Sequence, residues 1–152
     1  VVAVMALCEA AAYYKSKGIT LCEQMQNLYQ KYGFYKESLF FQTFQGVEGK
    51  AKIDGLMDAL RNEIPKEVGP FKVTALEDYK KSVRTDIATG ETSALTLPES
   101  NVLYFELEDG AWFCVRPSGT EPKIKYYAGV KGTDAQDAAD KLEALSKAVV
   151  EL

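Results

Sequence analysis

The sequence has 152 residues, 47% hydrophobic and 26% charged, with a formal net charge of -4. That is the composition of an ordinary soluble globular chain, one domain or one domain plus part of another, and its acidic balance opposes non-specific nucleic-acid binding. There is no histidine, and the three cysteines (Cys8, Cys22 and Cys114) form no C-x-x-C pair, which excludes His-based triads, general bases and metal sites here and fits reduced thiols in a cytoplasmic protein.

The chain opens on an apolar run, Val1 to Leu7, without a basic leader, and Glu9 interrupts it. It is too short to span a membrane and wrong for a secretory signal. Val1, Val4, Met5, Cys8, Ala12 and Tyr13 recur near a 3.6 period, which predicts a helix over residues 1–17 closed by Gly18. An apolar helix starting at residue 1 without an N-cap reads as a cut through a larger protein. Thr20 and Glu23 have capping-box spacing, and Leu21, Met25, Leu28, Tyr29 and Tyr32 form the stripe of a second helix ended by Gly33. Residues 1–33 are thus a helical hairpin, too small to be an independent domain.

From Phe34 the pattern changes. Residues 34–44 are rich in aromatics and read as a strand, broken by Gly46 and Gly49. Residues 50–64 read as a helix with Ile53, Leu56, Met57, Leu60 and Ile64 on one face, stopped by Pro65. A short strand is expected over 71–75. The mostly polar stretch 76–84 reads as a strand-like edge or a connection, and 85–98 as a polar loop broken by Gly90 and Pro98.

Residues 102–116 are the clearest hairpin, with Asp109-Gly110 as a two-residue type I′ turn. That turn pairs Leu107 with Trp112, Phe105 with Cys114 and Leu103 with Arg116. Leu103, Phe105, Leu107, Trp112 and Cys114 then form a core face, with Arg116 at its end. In this register Cys114 is a core thiol rather than a nucleophile. A strand follows over 123–130, with Lys123, Lys125 and Tyr127 on one side and Ile124, Tyr126 and Ala128 on the other. Thr133 and Gln136 have capping-box spacing before a last helix, 134–151, with Ala135, Ala138, Ala139, Leu142, Leu145 and Val149 inward. The expected fold class is α+β: a mostly antiparallel sheet covered by two helices.

The most informative stretch is Arg116-Pro117-Ser118-Gly119-Thr120-Glu121-Pro122. Arg116 offers a planar fork of N–H donors suited to phosphate or carboxylate. Ser118 and Thr120 offer rotatable hydroxyls, and Gly119 lets backbone N–H groups converge into an anion nest. Pro117 and Pro122 restrict the loop and lower the entropy cost of holding it ready. The same residues also make an ordinary tight turn. Lys123 reads as solvated edge charge, whereas Lys125 fits equally a solvated role or a second cation beside the loop. There is no Walker A motif, no G-x-G-x-x-G, no metal-ligand spacing and no nucleophile with a partner base. The chain therefore carries an anion site without catalytic machinery.

The string R-P-S-G-T-E-P-K-I-K-Y-Y from Arg116 to Tyr127, after a hairpin and before a strand and a last helix, closely resembles the C-terminal phosphate-binding loop of the α-D-phosphohexomutases. These include phosphoglucomutase, phosphomannomutase and phosphoglucosamine mutase. The stretches Ala10 to Gly18 and Tyr32 to Ser38 favour the phosphoglucomutase/phosphomannomutase branch over the phosphoglucosamine mutase branch. The resemblance implies a TATA-binding-protein-like fourth domain over 34–152, preceded over 1–33 by the helical tail of the third domain. In the family a phosphoserine in the first domain exchanges its phosphoryl group with a hexose phosphate through a bisphosphorylated sugar, assisted by Mg²⁺ on the second domain. The resemblance implies that Arg116, Ser118, Gly119, Thr120 and Lys125 bind the non-reacting phosphate. The expected partners are a sugar phosphate and the preceding domains, with no nucleic acid or membrane. The catalytic serine and Mg²⁺ site are expected outside these residues, leaving this chain inactive alone. The alternatives are a stand-alone anion- or phosphate-binding regulatory module, or the phosphoglucosamine mutase branch of the same family.

Overall fold

Alternating large apolar residues along three adjacent strands dictate the architecture. The computed structural model describes residues 1–44 and 48–152. Its elements are α1 (Val2–Ser16), α2 (Leu21–Tyr32), β1 (Phe34–Thr43), α3 (Glu48–Asn62), β2 (Glu67–Val68), β3 (Phe71–Asp78), β4 (Val83–Asp86), β5 (Thr92–Ala94), β6 (Leu103–Leu107), β7 (Trp112–Pro117), β8 (Lys123–Gly132) and α4 (Ala135–Val150). The strands form one antiparallel sheet in the order β1-β8-β7-β6-β3-β4-β5, with β2 paired to the start of β3. Leu103, Phe105, Leu107, Phe113, Val115, Ile124, Tyr126 and Ala128 line one face, and α3 and α4 cover it with Ile53, Met57, Leu60, Leu142, Leu145 and Val149. The expected α+β class, antiparallel sheet and two covering helices are all present. Among the described residues, no helix is long and apolar enough to cross a membrane.

The hairpin register differs from the expected one. Asp109 (φ 59°) and Gly110 (φ 72°) take the left-handed conformations of a type I′ turn, and the Ala111 N–H donates to the Glu108 carbonyl. However, the N–H of Leu107, not of Glu108, donates to the Ala111 carbonyl. Leu107 and Glu108 thus both oppose Ala111, a bulge that shifts the ladder by one residue. Leu103 now pairs with Val115, Tyr104 with Cys114 and Phe105 with Phe113. Because side chains alternate faces, Phe113 and Val115 enter the core, while Trp112, Cys114 and Arg116 move to the face without helices. The expected inward placement of Trp112 and Cys114 is therefore overturned.

The polar stretch after residue 75 is also corrected. β3 runs to Asp78 and is interior, between β6 and β4. A ladder irregularity between Val73 and Ala75 leaves Ala75 and Leu76 both buried, which breaks the alternation. Asp78 is buried because Arg61 of α3 donates to both its carboxylate oxygens at 3.2 and 3.3 Å. The expected loop over 85–98 contains the rest of β4 and all of β5, which pair with each other.

At the ends of the chain, Thr20 and Glu23 form the expected capping box. At α4 the cap is Asp134, whose carboxylate accepts from Gln136 and Asp137, while Thr133 donates to Asp137. Ala135 is exposed rather than inward. Gly49 does not break structure; it lies buried in the first turn of α3, where an added Cβ would meet the Phe44 carbonyl oxygen at 2.6 Å. Gly46 lies outside the described residues. The apolar face expected on the first helix meets no core: α1 buries no residue, and Val4, Met5 and Leu7 are exposed. The hairpin joins the sheet through stacked Tyr29 and Phe34 rings, 5.6 Å apart.

The Arg61–Asp78 pair ties α3 to the sheet with both side chains nearly solvent-free. Removing one partner strands a buried charge, at a cost of about 3–5 kcal/mol. Asp78→Ala is therefore expected to lower the urea unfolding free energy by about that amount, whereas replacing both partners with apolar residues restores much of it. Equal stability of Asp78→Ala and the unaltered chain would refute this role.

Candidate anion site

The site begins with strand pairing. Arg116, the penultimate residue of β7, lies directly opposite Lys125 of β8, and Lys125 lies opposite Phe41 of β1. Opposed residues share a face, so the guanidinium and ammonium stem from neighbouring positions on the open side of the sheet. Arg116 is exposed and Lys125 half-buried. Among the described residues neither takes part in an ion pair. Their mutual repulsion disfavours leaving the pair without an anion.

The loop between β7 and β8 is tied at its base. The Ser118 N–H donates to the Lys123 carbonyl at 2.8 Å, and the Lys123 N–H donates to the Glu121 carbonyl at 2.7 Å. The Phe44 N–H donates to the Pro122 carbonyl at 2.9 Å, fixing the loop to the end of β1. Among the described residues, the amides of Gly119, Thr120 and Glu121 and the hydroxyls of Ser118 and Thr120 have no partner within the chain. Among the described residues the loop therefore holds five uncommitted donors at the same end of the strand pair as the two cations. Gly119 does not have a left-handed backbone; an added Cβ would meet nothing within 4 Å. Its contribution is open space beside the amides rather than a special dihedral angle.

Lys123 differs from the solvated charge expected of it. Its Nζ lies 3.2 Å from the Glu121 carboxylate and 5.4 Å from the centroid of the Phe41 ring. The lysine braces the loop and neutralises its one carboxylate. On its other side the loop faces α3 across a groove lined by Lys50, Ile53, Asp54 and Asn101. Sequence reasoning missed this wall. Lys50 and Asp54 read as ordinary surface residues of a helix, and no local signal links them to a loop far along the chain.

Cys114 sits two residues before Arg116 on the same face. Burial pushes its thiol up to about 11, and the Arg116 charge opposes that shift only in part. The neutral thiol is thus the form present near neutrality, which fits a packed sulfur and not a nucleophile. Farther along the open face, Arg84 grips Glu106 through two hydrogen bonds of 2.7 and 2.8 Å, which hold the Glu106 carboxyl below its usual range. Tyr79 donates to Glu77 at 2.6 Å, and that bond pushes its hydroxyl up to about 12. Among the described residues no three Cys, Asp or Glu side chains are grouped to hold a metal ion.

Residues 45–147 match the family model described as "Phosphoglucomutase/phosphomannomutase, C-terminal domain". The chain belongs to this family. It is 38% identical over 135 residues to a phosphoglucomutase of Staphylococcus aureus (strain MRSA252), covering 89% of this chain and 24% of that protein. It is 39% identical over 120 residues to a phosphoglucomutase of Staphylococcus epidermidis (strain RP62A), covering 79% of this chain and 22% of that protein. The chain thus spans about a quarter of the length of these relatives. The fold is similar to that of the exocytosis-sensitive phosphoprotein pp63/parafusin, a phosphoglucomutase from Paramecium, in its open form. That match has a TM-score of 0.50 and 16% identity, and covers 93% of this chain and 25% of the other.

Alkylation tests the reading of Cys114. With iodoacetamide at pH 8, Cys8 and Cys22, which are exposed, are expected to react while Cys114 stays unmodified. Its rate should rise only as the pH nears 11 or the chain is unfolded. Mass spectrometry of the peptides reads this directly, and equal modification of all three at pH 8 would refute it.

Proposed function

We propose that this chain is the substrate-phosphate-binding domain of a phosphohexomutase of the phosphoglucomutase/phosphomannomutase branch, which interconverts hexose 1-phosphate and 6-phosphate through a bisphosphorylated sugar. The observation that carries the reading is the cross-strand pair Arg116–Lys125 beside a tied loop that, among the described residues, keeps five donors uncommitted. Arg116 supplies a bidentate, charge-assisted contact to the phosphate oxygens. Lys125 adds a point charge, and Ser118, Thr120 and the Gly119 and Thr120 amides complete the shell. The phosphoglucomutase identity of the Staphylococcus relatives supports the branch.

In this reading the domain holds the phosphate that is not reacting. Phosphoryl transfer depends on positioning and charge stabilisation, and a doubly phosphorylated sugar gripped at one end presents the other to the transferring group. That group, a serine, and the Mg²⁺ that assists it belong to residues outside this sequence. The described residues offer no ligand cluster for such an ion. Residues 1–33 belong to the preceding domain of the longer protein, which supplies cover for the exposed apolar face of α1. Alone, the chain binds sugar phosphate weakly and does not turn it over. Three cysteines, an odd number with no C-x-x-C pair, fit a cytoplasmic location.

In the full-length enzyme, Arg116→Ala is expected to lower kcat/KM by the worth of one charge-assisted contact, about 1.5–3 kcal/mol or roughly tenfold to a hundredfold. Both KM and kcat should move, because the contact positions the sugar as well as binding it. Steady-state assay with glucose 1-phosphate measures this; an unchanged kcat/KM removes Arg116 from the site.

A further inference from the structure

A third cation, Lys123, stems from the same face as Arg116 and Lys125. Lys123 opens β8 two residues before Lys125, so both side chains leave the same side of the strand. Arg116 lies opposite Lys125, and the next step of that register sets Ser118 opposite Lys123, where the Ser118 N–H donates to the Lys123 carbonyl at 2.8 Å. The Lys123 ammonium rests 5.4 Å from the centroid of the Phe41 ring, and Phe41 is the direct cross-strand neighbour of Lys125. The third ammonium thus sits over a ring that borders the other two charges.

Glu121 occupies this cation. Its two carboxylate oxygens lie 3.2 and 3.3 Å from Lys123 Nζ, and among the described residues no other side chain donates to it. The pair is open to solvent: the Glu121 side chain is 55% exposed and that of Lys123 30%. An ion pair so placed is weak, because water competes for both charges. A phosphate dianion beside Arg116 and Lys125 offers Lys123 more charge than one carboxylate does. The ammonium is a point charge on a flexible four-carbon stem, and it can turn from one partner to the other without moving the strand. Glu121, already more than half exposed, then passes to water. It stays two residues away in the chain, so it returns without the entropy loss of a bimolecular association.

We infer that Glu121 is a built-in competitor of the bound phosphate. In the free loop it holds Lys123; when a phosphate settles on Arg116 and Lys125, Lys123 exchanges the carboxylate for a phosphate oxygen and becomes the third cation of the site. This rests on the phosphate role of Arg116 and Lys125 proposed above and concerns how that grip is set and released. With the site free, the carboxylate relieves repulsion among the three cations. With the site filled, it waits beside Lys123 and shortens the life of the bound state. A purely structural brace keeps Lys123 on Glu121 whether or not phosphate is bound.

Calorimetric titration of the 152-residue chain with inorganic phosphate, combined with NMR of the Lys123 ammonium and the Glu121 carboxyl group, separates the two. Glu121→Gln is expected to tighten phosphate binding by up to about fivefold, the strength of the exposed pair it abolishes. Lys123→Met is expected to weaken it by about tenfold, the strength of a charge-assisted contact. In the unaltered chain, saturating phosphate should shift the Lys123 Nζ signal and move the Glu121 Cδ signal toward its position in Lys123→Met, where no ammonium holds the carboxylate. Weaker or unchanged phosphate binding by Glu121→Gln, unchanged binding by Lys123→Met, or a Glu121 carboxyl signal that phosphate leaves in place each overturns the exchange. If Arg116→Ala still weakens phosphate binding in that case, the phosphate site stands without it. If Arg116→Ala binds phosphate like the unaltered chain, the phosphate reading falls and the exchange with it.

Discussion

The turn at Asp109-Gly110 carries one more residue on the β6 side than a two-residue hairpin needs, and that residue decides which face of the sheet Arg116 occupies. Glu108 is the extra residue: the ladder resumes at Leu107, not Glu108, opposite Ala111. A one-residue slip inverts every side chain of the following strand. Phe113 and Val115 therefore fill the core, stacking included (Phe105 and Phe113 centroids are 4.3 Å apart), and Trp112, Cys114 and Arg116 go to the open face. Without the bulge, Arg116 would end beneath α3 and α4, where a guanidinium without a carboxylate is costly. β8 then follows by its own alternation. Ile124, Tyr126 and Ala128 must be inward, so Lys125 must be outward and opposite Arg116.

The helix layer positions the other wall of the site. α3 is amphipathic, and burying Ile53, Met57 and Leu60 on the sheet fixes its rotation. Arg61 at its end bonds Asp78 on the interior strand β3, which fixes its sliding along the sheet. The same guanidinium holds Asn101, so one buried pair sets both the helix and the segment that borders the groove. Gly49 permits close approach of the helix start to Phe44, whose N–H bonds Pro122 of the loop. Packing and site geometry are thus linked through a short series of contacts.

Much of this was legible in the sequence because the informative features are local. The Thr20–Glu23 cap, the stripe of α3, the Asp109-Gly110 turn and the alternation of β8 each follow from spacing over a few residues. The loop was legible for the same reason: its chemistry is concentrated between Arg116 and Lys125. What failed was interrupted periodicity. The bulge after Leu107 and the irregularity near Thr74 each insert a residue, and a period-two count carries the error onward. The polar run Glu77 to Lys81 suggested an edge, but Asp78 is buried with a partner 17 residues away. Such a pairing leaves no trace in local composition. The same holds for Lys50, Asp54 and Asn101, which only the tertiary fold brings to the loop.

The anion loop owes its readiness to two independent constraints. Strand pairing sets Arg116 opposite Lys125 on the open face, where two cations repel each other and a bound anion relieves them. Three backbone bonds, from Ser118 to Lys123, from Lys123 to Glu121 and from Phe44 to Pro122, hold the loop between the strands and against the end of β1. The Glu121–Lys123 pair braces it and removes the loop's one carboxylate from competition for Arg116 and Lys125. A loop tied in this way has little freedom left to lose, so ordering it around an anion costs little. Register thus supplies the charge and the tied loop supplies the geometry, and a slip of one residue at the Asp109-Gly110 turn would keep the second while losing the first.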